Sequence, residues 1–143
     1  LKNRLKIKGI GVYEINLFYV VIEMLKERGI LEKVIEKEPS LSKEKLYKTL
    51  QGAIDTQKYL IPKIDSIIGK NSSNIVFLTG IGQVYPFIRS HTVLNNLQNS
   101  IKDRPTVMFF PGVYDGTSLS LFGKLKDENY YRAFNLETVN LVS

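Results

Sequence analysis

Residues 75 to 82 read Ile75-Val76-Phe77-Leu78-Thr79-Gly80-Ile81-Gly82. The stretch from 75 to 79 is short, largely apolar and bounded by polar residues and Gly80, which is how a strand buried on both faces reads. Residues 106 to 110, Thr-Val-Met-Phe-Phe, form a second run of the same kind. About two dozen residues separate the two runs, with a helical pattern over roughly 84 to 97. Strand, crossover helix and strand in that order predict an α/β unit with a right-handed parallel crossover.

Toward the N-terminus, Leu5 and Ile7 alternate with lysines, and Val12 and Ile15 follow Gly9-Ile10-Gly11, so a strand is expected within residues 5 to 15, bent at the glycines. Asn16 is placed to cap a helix whose positions Leu17, Val20, Val21, Met24 and Leu25 make an apolar stripe ending at Gly29. A helix this apolar belongs against a sheet. Leu31, Val34 and Ile35 predict a further short turn. Ser42 caps a helix with Leu46, Leu50, Ala53 and Ile54 on one side, and Pro62 starts or kinks the next, which carries Leu60, Ile61, Ile64, Ile67 and Ile68. Toward the C-terminus, residues 111 to 123 are rich in turn formers, and residues 130 to 136 alternate enough for a last, edge strand.

Composition narrows the classes. With 143 residues, 43% of them apolar, one domain with its own core is expected. The absence of cysteine excludes disulfides, a thiol nucleophile and cysteine-ligated metal. No apolar run approaches the roughly 20 residues that cross a bilayer, and no signal segment opens the chain, so a soluble cytoplasmic protein with no membrane partner is expected. The first residue is Leu1 rather than methionine, so the sequence reads as a fragment. Of the net charge of +6, Lys2, Arg4, Lys6 and Lys8 supply +4, while residues 9 to 70 and 71 to 143 contribute +1 each. The excess is therefore a basic arm, solvated or touching phosphate, rather than a basic face.

Ligands of open α/β sheets bind beyond the carboxyl ends of the strands, which directs attention to Gly80-Ile81-Gly82 and to residues 111 to 116. A Gly-x-Gly turn opening a helix can hold an anion on bare amides, or serve only a tight turn; Gly80 and Gly82 lack the third glycine of a dinucleotide fingerprint and the Gly-Lys-Ser/Thr ending of a P-loop. His91, the single histidine, reads as a hydrogen-bonded structural residue or as an acid or base beside a carboxylate such as Asp115. Asn95 and Asn96 can satisfy backbone groups or a ligand equally well. Asp115, Asp127 and Glu128 are turn and loop carboxylates unless they converge on magnesium. Tyr114, Phe122, Tyr130, Tyr131 and Phe134 make an aromatic set suited either to an interface or to a core. No catalytic set, metal site or cofactor is predicted.

Residues 77 to 82, Pro86-Phe87-Ile88-Arg89-Ser90-His91, Leu94-Asn95-Asn96-Leu97, Phe110-Pro111-Gly112-Val113-Tyr114-Asp115-Gly116, Leu121-Phe122-Gly123 and Asn129-Tyr130-Tyr131-Arg132-Ala133-Phe134 together resemble the central signature of the BrxB family of BREX phage-defence systems. Residues 12 to 68 resemble it more loosely. The resemblance implies a three-layer α/β sandwich, its mostly parallel central sheet flanked by helices as in nucleotide-binding folds but without a P-loop. Members are usually longer at the N-terminus, so a first strand and helix are expected to be missing, leaving a sheet edge exposed. It further implies an accessory or adaptor subunit working with other BREX proteins, a PglZ-like phosphatase-related subunit first among them, and supplies no catalytic motif. The residues expected to form the functional surface are Gly80, Gly82, Arg89, His91, Asn95, Asn96, Tyr114, Asp115, Tyr130 and Arg132. Two other classes stay open. A nucleotide- or phosphate-handling enzyme needs Gly80 to Gly82, Arg89, His91 and Asp115 in one pocket, and a nucleic-acid-binding module needs Arg89, Lys102, Arg104 and Arg132 on one face.

Overall fold

A computed structural model of the chain describes residues 1–127, 129 and 133–139. By internal contacts the chain divides into two compact units, Leu1–Phe109 and Phe110–Ser143.

The first unit is α/β. Its elements run α1 (Lys2–Ile7), β1 (Val12–Asn16), α2 (Leu17–Glu27), α3 (Leu31–Lys37), α4 (Lys43–Ala53), α5 (Ile61–Gly69), β2 (Ile75–Thr79), α6 (Ser90–Ser100) and β3 (Thr106–Met108). The strands lie in the order β1-β2-β3 and are all parallel, so each connection is a helical crossover and helices flank the sheet, as the sequence predicts. Register aligns Ile15, Leu78 and Met108 across one face, and Glu14, Phe77 and Val107 across the other. Ile15 and Leu78 are buried together with Leu17, Leu60, Ile64 and Val93, and this set is the centre of the core.

Local chemistry sets the helix boundaries. The Asn16 side-chain oxygen accepts from the amides of Phe18 at 3.0 Å and Tyr19 at 3.4 Å, satisfying two of the donors a helix start leaves bare. The expected stripe of α2 is buried in full. At its other end Gly29 N donates to Lys26 O and Ile30 N to Leu25 O, the paired bonds of a Schellman cap. Ser42 Oγ caps α4 by accepting from Lys45 N at 3.3 Å, and Pro62 sits in the first turn of α5, where its missing donor costs nothing. Lys63 on α5 reaches Glu27 on α2 at 2.6 Å, tying the two helices together at the surface.

Three boundaries differ from expectation, and a fourth expected element lies partly outside the described residues. The strand expected from residue 5 begins only at Val12; residues 2 to 7 are helical, because an alternation of two apolar residues is too short to hold a strand against the helix-forming lysines around it. The helix expected from residue 84 begins at Ser90. Pro86 lacks the N–H that a helix interior needs, and the segment turns instead, with Phe87 N donating to Val84 O at 3.0 Å, Val84 and Ile88 buried, and Phe87 stacked on Tyr47 with ring centroids 5.5 Å apart. The strand expected over 106 to 110 stops at Met108. Of the edge strand expected over 130 to 136, residues 130–132 lie outside the described residues, and among the described residues 133 to 135 carry no strand and a turn begins at 136.

The second unit holds a small antiparallel sheet, β4 (Gly112–Tyr114), β5 (Leu119–Leu121) and β6 (Leu125–Lys126), in that order. Gly112 is required by close approach: a Cβ there would stand 2.1 Å from Ser120 O. Among the described residues no helix is long and apolar enough to cross a membrane.

The ends of β1 and β2 meet at one tight point. Gly80 has φ +77°, and a Cβ on it would lie 2.5 Å from Asn16 Oδ1 and 3.2 Å from Leu17 N. Replacing Asn16 by alanine is expected to cost about 1 kcal/mol through loss of the cap. Gly80→Ala costs more, from the left-handed backbone and the clash together. Because the clash is with the Asn16 side chain itself, the double variant should be destabilised by less than the sum of the singles in a urea-melt double-mutant cycle.

Candidate functional site

The carboxyl ends of the parallel strands carry polar groups already engaged with the chain. Besides Asn16, Thr79 Oγ1 donates to Glu14 Oε1 at 2.8 Å, and the other Glu14 oxygen pairs with the Lys2 ammonium. The Lys2 contact first, and the Thr79 hydroxyl second, hold the Glu14 carboxyl below its usual range. Gly80 and Gly82 belong to this corner. Gly82 lies in a 3₁₀ turn, Ile81–Gln83, closed by Gln83 N donating to Gly80 O at 3.1 Å. The expectation that the Gly-x-Gly turn opens an α-helix is thereby corrected, since α6 starts only at Ser90.

On α6, Arg89 occupies the cap position with no side-chain bond to the helix, and its side chain is exposed. His91 Nε2 and Asn95 Nδ2 face each other at 2.9 Å, one helical turn apart. Asn96 Nδ2 donates to Thr92 O at 2.7 Å, so that asparagine serves the helix backbone. The structure therefore brings His91 and Asn95 together on α6 and leaves Arg89 exposed at its N-cap. Of the basic residues considered for nucleic acid, Arg104 is committed elsewhere: its guanidinium donates to Asn71 O at 2.7 Å and Ser73 O at 3.2 Å and pairs with Asp103 at 3.0 Å. Lys102 is exposed.

Tyr114 and Asp115 lie in the second unit. Asp115 Oδ1 accepts from Ser118 N at 2.7 Å, Thr117 N at 2.9 Å and Thr117 Oγ1 at 2.9 Å, and Oδ2 accepts from Ser118 Oγ at 2.8 Å. The Ser118 and Thr117 amides, followed by the two hydroxyls, hold the Asp115 carboxyl far below the ordinary range. It is the organiser of the 115–118 turn. The Tyr114 hydroxyl stands 2.8 Å from Gly116 O and 3.0 Å from Ala133 O, bracing the same loop. Asp127 accepts from Asn129 N at 3.1 Å. Tyr130, Arg132 and Glu128 lie outside the described residues. Among the described residues no three His, Cys, Asp or Glu side chains gather as metal ligands do.

Sequence reasoning passed over Glu14 and Thr79. Their signal is present: polar residues within or closing apolar strands, two positions apart on adjacent parallel strands. The aromatic set divides, Phe122 and Phe134 being exposed and Tyr114 half-buried.

Comparison with known proteins converges on one family. Residues 13–136 match the family model described as BREX protein BrxB. A BREX protein BrxB of Bacillus cereus (strain H3081.97) is 42% identical over 131 residues, covering 90% of this chain and 67% of that protein. Its counterpart in Escherichia coli O9:H4 (strain HS) is 36% identical over 125 residues, covering 85% of this chain and 60% of that protein. The chain thus spans about two thirds or less of the length of these relatives. No solved structure matches it.

The Asp115 turn gives a pH signature. Its carboxyl is depressed on folding, so its contribution to the turn is present above the unfolded value, about pH 4, and is lost as the pH falls from there toward the folded value. Hydrogen-exchange protection of the Thr117 and Ser118 amides, corrected for intrinsic rates, should fall with acid in the wild type. It should be pH-independent in Asp115→Asn and absent in Asp115→Ala.

Proposed function

The chain belongs to the BrxB family, and from that premise we propose that it acts as a non-catalytic adaptor of a BREX anti-phage system, contacting a PglZ-like subunit in the cytoplasm. Membership makes it a BREX component. The adaptor role is supported by how the chain uses its polar groups. The side chains best suited to chemistry at the strand ends and loops, Asn16, Glu14, Asp115 and Asn96, are bonded to the chain's own backbone and hydroxyls. Large apolar side chains are meanwhile left on the surface, Phe134 at 88% exposure and Tyr19 at 68% among them. An enzyme needs donors and acceptors kept available for a substrate, whereas a binding subunit needs exposed aromatic and arginine anchors. Arg89, exposed at the start of α6, is such an anchor.

The test is co-purification of the protein with the PglZ-like subunit of its own system. Arg89→Glu should weaken that association about tenfold or more while leaving the thermal melt unchanged. Failure of the wild-type protein to associate with that subunit contradicts the proposal.

A further inference from the structure

The turn joining β5 to β6 places an aromatic residue where one is costly. Lys124 N donates to Leu121 O at 3.1 Å, and between them Phe122 has φ +55° and Gly123 φ +67°. Two successive residues at positive φ form a type I′ turn, whose first position normally falls to Asn, Asp or Gly. Glycine pays nothing for that backbone, whereas a bulky side chain crowds its own carbonyl. Burial of the ring would offset the strain, yet Phe122 is 55% exposed. The chain therefore holds an aromatic side chain at the tip of a hairpin on a left-handed backbone, with more than half of its surface left to solvent.

The surroundings give the tip a chemical character. Register aligns Val113, Ser120 and Lys126 across the three strands on one face. The residues between them on β5, Leu119 and Leu121, are buried on the other. Val113 is 58% exposed, and its Cγ2 comes within 4.0 Å of where a Cβ on Gly123 would sit, so it flanks the turn. Lys124 and Lys126 are exposed and make no ion pair among the described residues. The one carboxylate on the preceding loop, Asp115, has both oxygens engaged in its own turn.

We propose that the Phe122 hairpin tip is a protein-docking anchor, its ring entering an apolar pocket on a partner whose rim carries carboxylates that meet Lys124 and Lys126. The inference rests on the adaptor reading and names the surface that would carry it. The exposed apolar side chains at the tip are one ring, Phe122, with Val113 and Leu125 near it, and the adaptor reading favours a protein pocket over a lipid surface as their occupant.

Phe122→Asn is the discriminating variant, because asparagine accepts the turn backbone and removes the ring. It should raise the melting temperature of the protein by roughly 3 °C. Each other protein of the cognate BREX system serves in turn as the binding probe. The variant should weaken one association at least tenfold, and Lys124→Glu with Lys126→Glu should weaken the same one and remove its salt dependence. A lower melting temperature in Phe122→Asn overturns the strain argument. Unchanged binding to a partner that the wild type does bind overturns the anchor and leaves the adaptor reading standing; absence of any wild-type partner overturns both. Phe122-dependent binding to phosphatidylserine vesicles, or Phe122-dependent self-association in sedimentation, in place of binding to a BREX protein, shows the pocket to be the wrong occupant.

Discussion

The close approach of Gly80 to Asn16 is the constraint on which the rest of the first unit depends. Asn16 ends β1, caps α2 and lies opposite Thr79 at the end of β2, so one side chain fixes where the first strand stops, where the most apolar helix starts and how the neighbouring strand may leave the sheet. Only glycine at residue 80 permits that crowding, since a Cβ would lie 2.5 Å from the asparagine oxygen. Once the corner is set, α2 buries its stripe against the sheet and meets α5 through the Lys63 bridge. The same corner decides what the strand ends can offer. In a dinucleotide-binding fold the helix amides here point at phosphate. In this chain the amides of Phe18 and Tyr19 are met by Asn16 Oδ1.

The second unit is organised differently, by turns rather than by a core. Asp115 gathers two amides and two hydroxyls, Gly112 lets β4 close on β5, and Phe122-Gly123 reverses the chain into β6. Only Leu119 and Leu121 of the three strands are buried. Sheets this small gain little from hydrophobic burial, so hydrogen-bonded side chains such as Asp115 carry a larger share of the order. That division of labour fits Phe122 and Phe134 staying exposed.

Much of the first unit was legible in the sequence because its signals are local and strong. Asn16, Ser42, Pro62 and Gly29 each mark a boundary by a mechanism acting within a turn of the helix, and the run from Ile75 to Thr79 announces a central parallel strand by being apolar on both faces. The misreadings arise where a short pattern met a stronger neighbour. Two apolar residues among lysines yielded to a helical turn at residues 2 to 7, and Pro86 postponed α6 to Ser90. Strands of two or three residues, β4 to β6, present too few alternations to register against glycine- and serine-rich surroundings. At the candidate site the identity of Asp115 was visible but its engagement with Thr117 and Ser118 was not, because an Asp-Gly pair reads alike as a free carboxylate and as a filled turn. Glu14 and Thr79 meet only through parallel pairing of residues 65 apart, which no local pattern reports.

The glycine, asparagine and aspartate residues singled out in the sequence are, in this structure, largely turn and cap residues. Gly80, Asn96, Gly112 and Asp115 all serve the backbone, while Arg89, Phe122 and Phe134 are exposed. The strand-end corner is filled by the chain itself. An amide NMR titration with ATP and magnesium tests it. The account predicts no saturable shift at Phe18, Tyr19 or residues 80 to 83 up to millimolar nucleotide; saturable shifts concentrated at those amides would contradict it and make the corner a phosphate site.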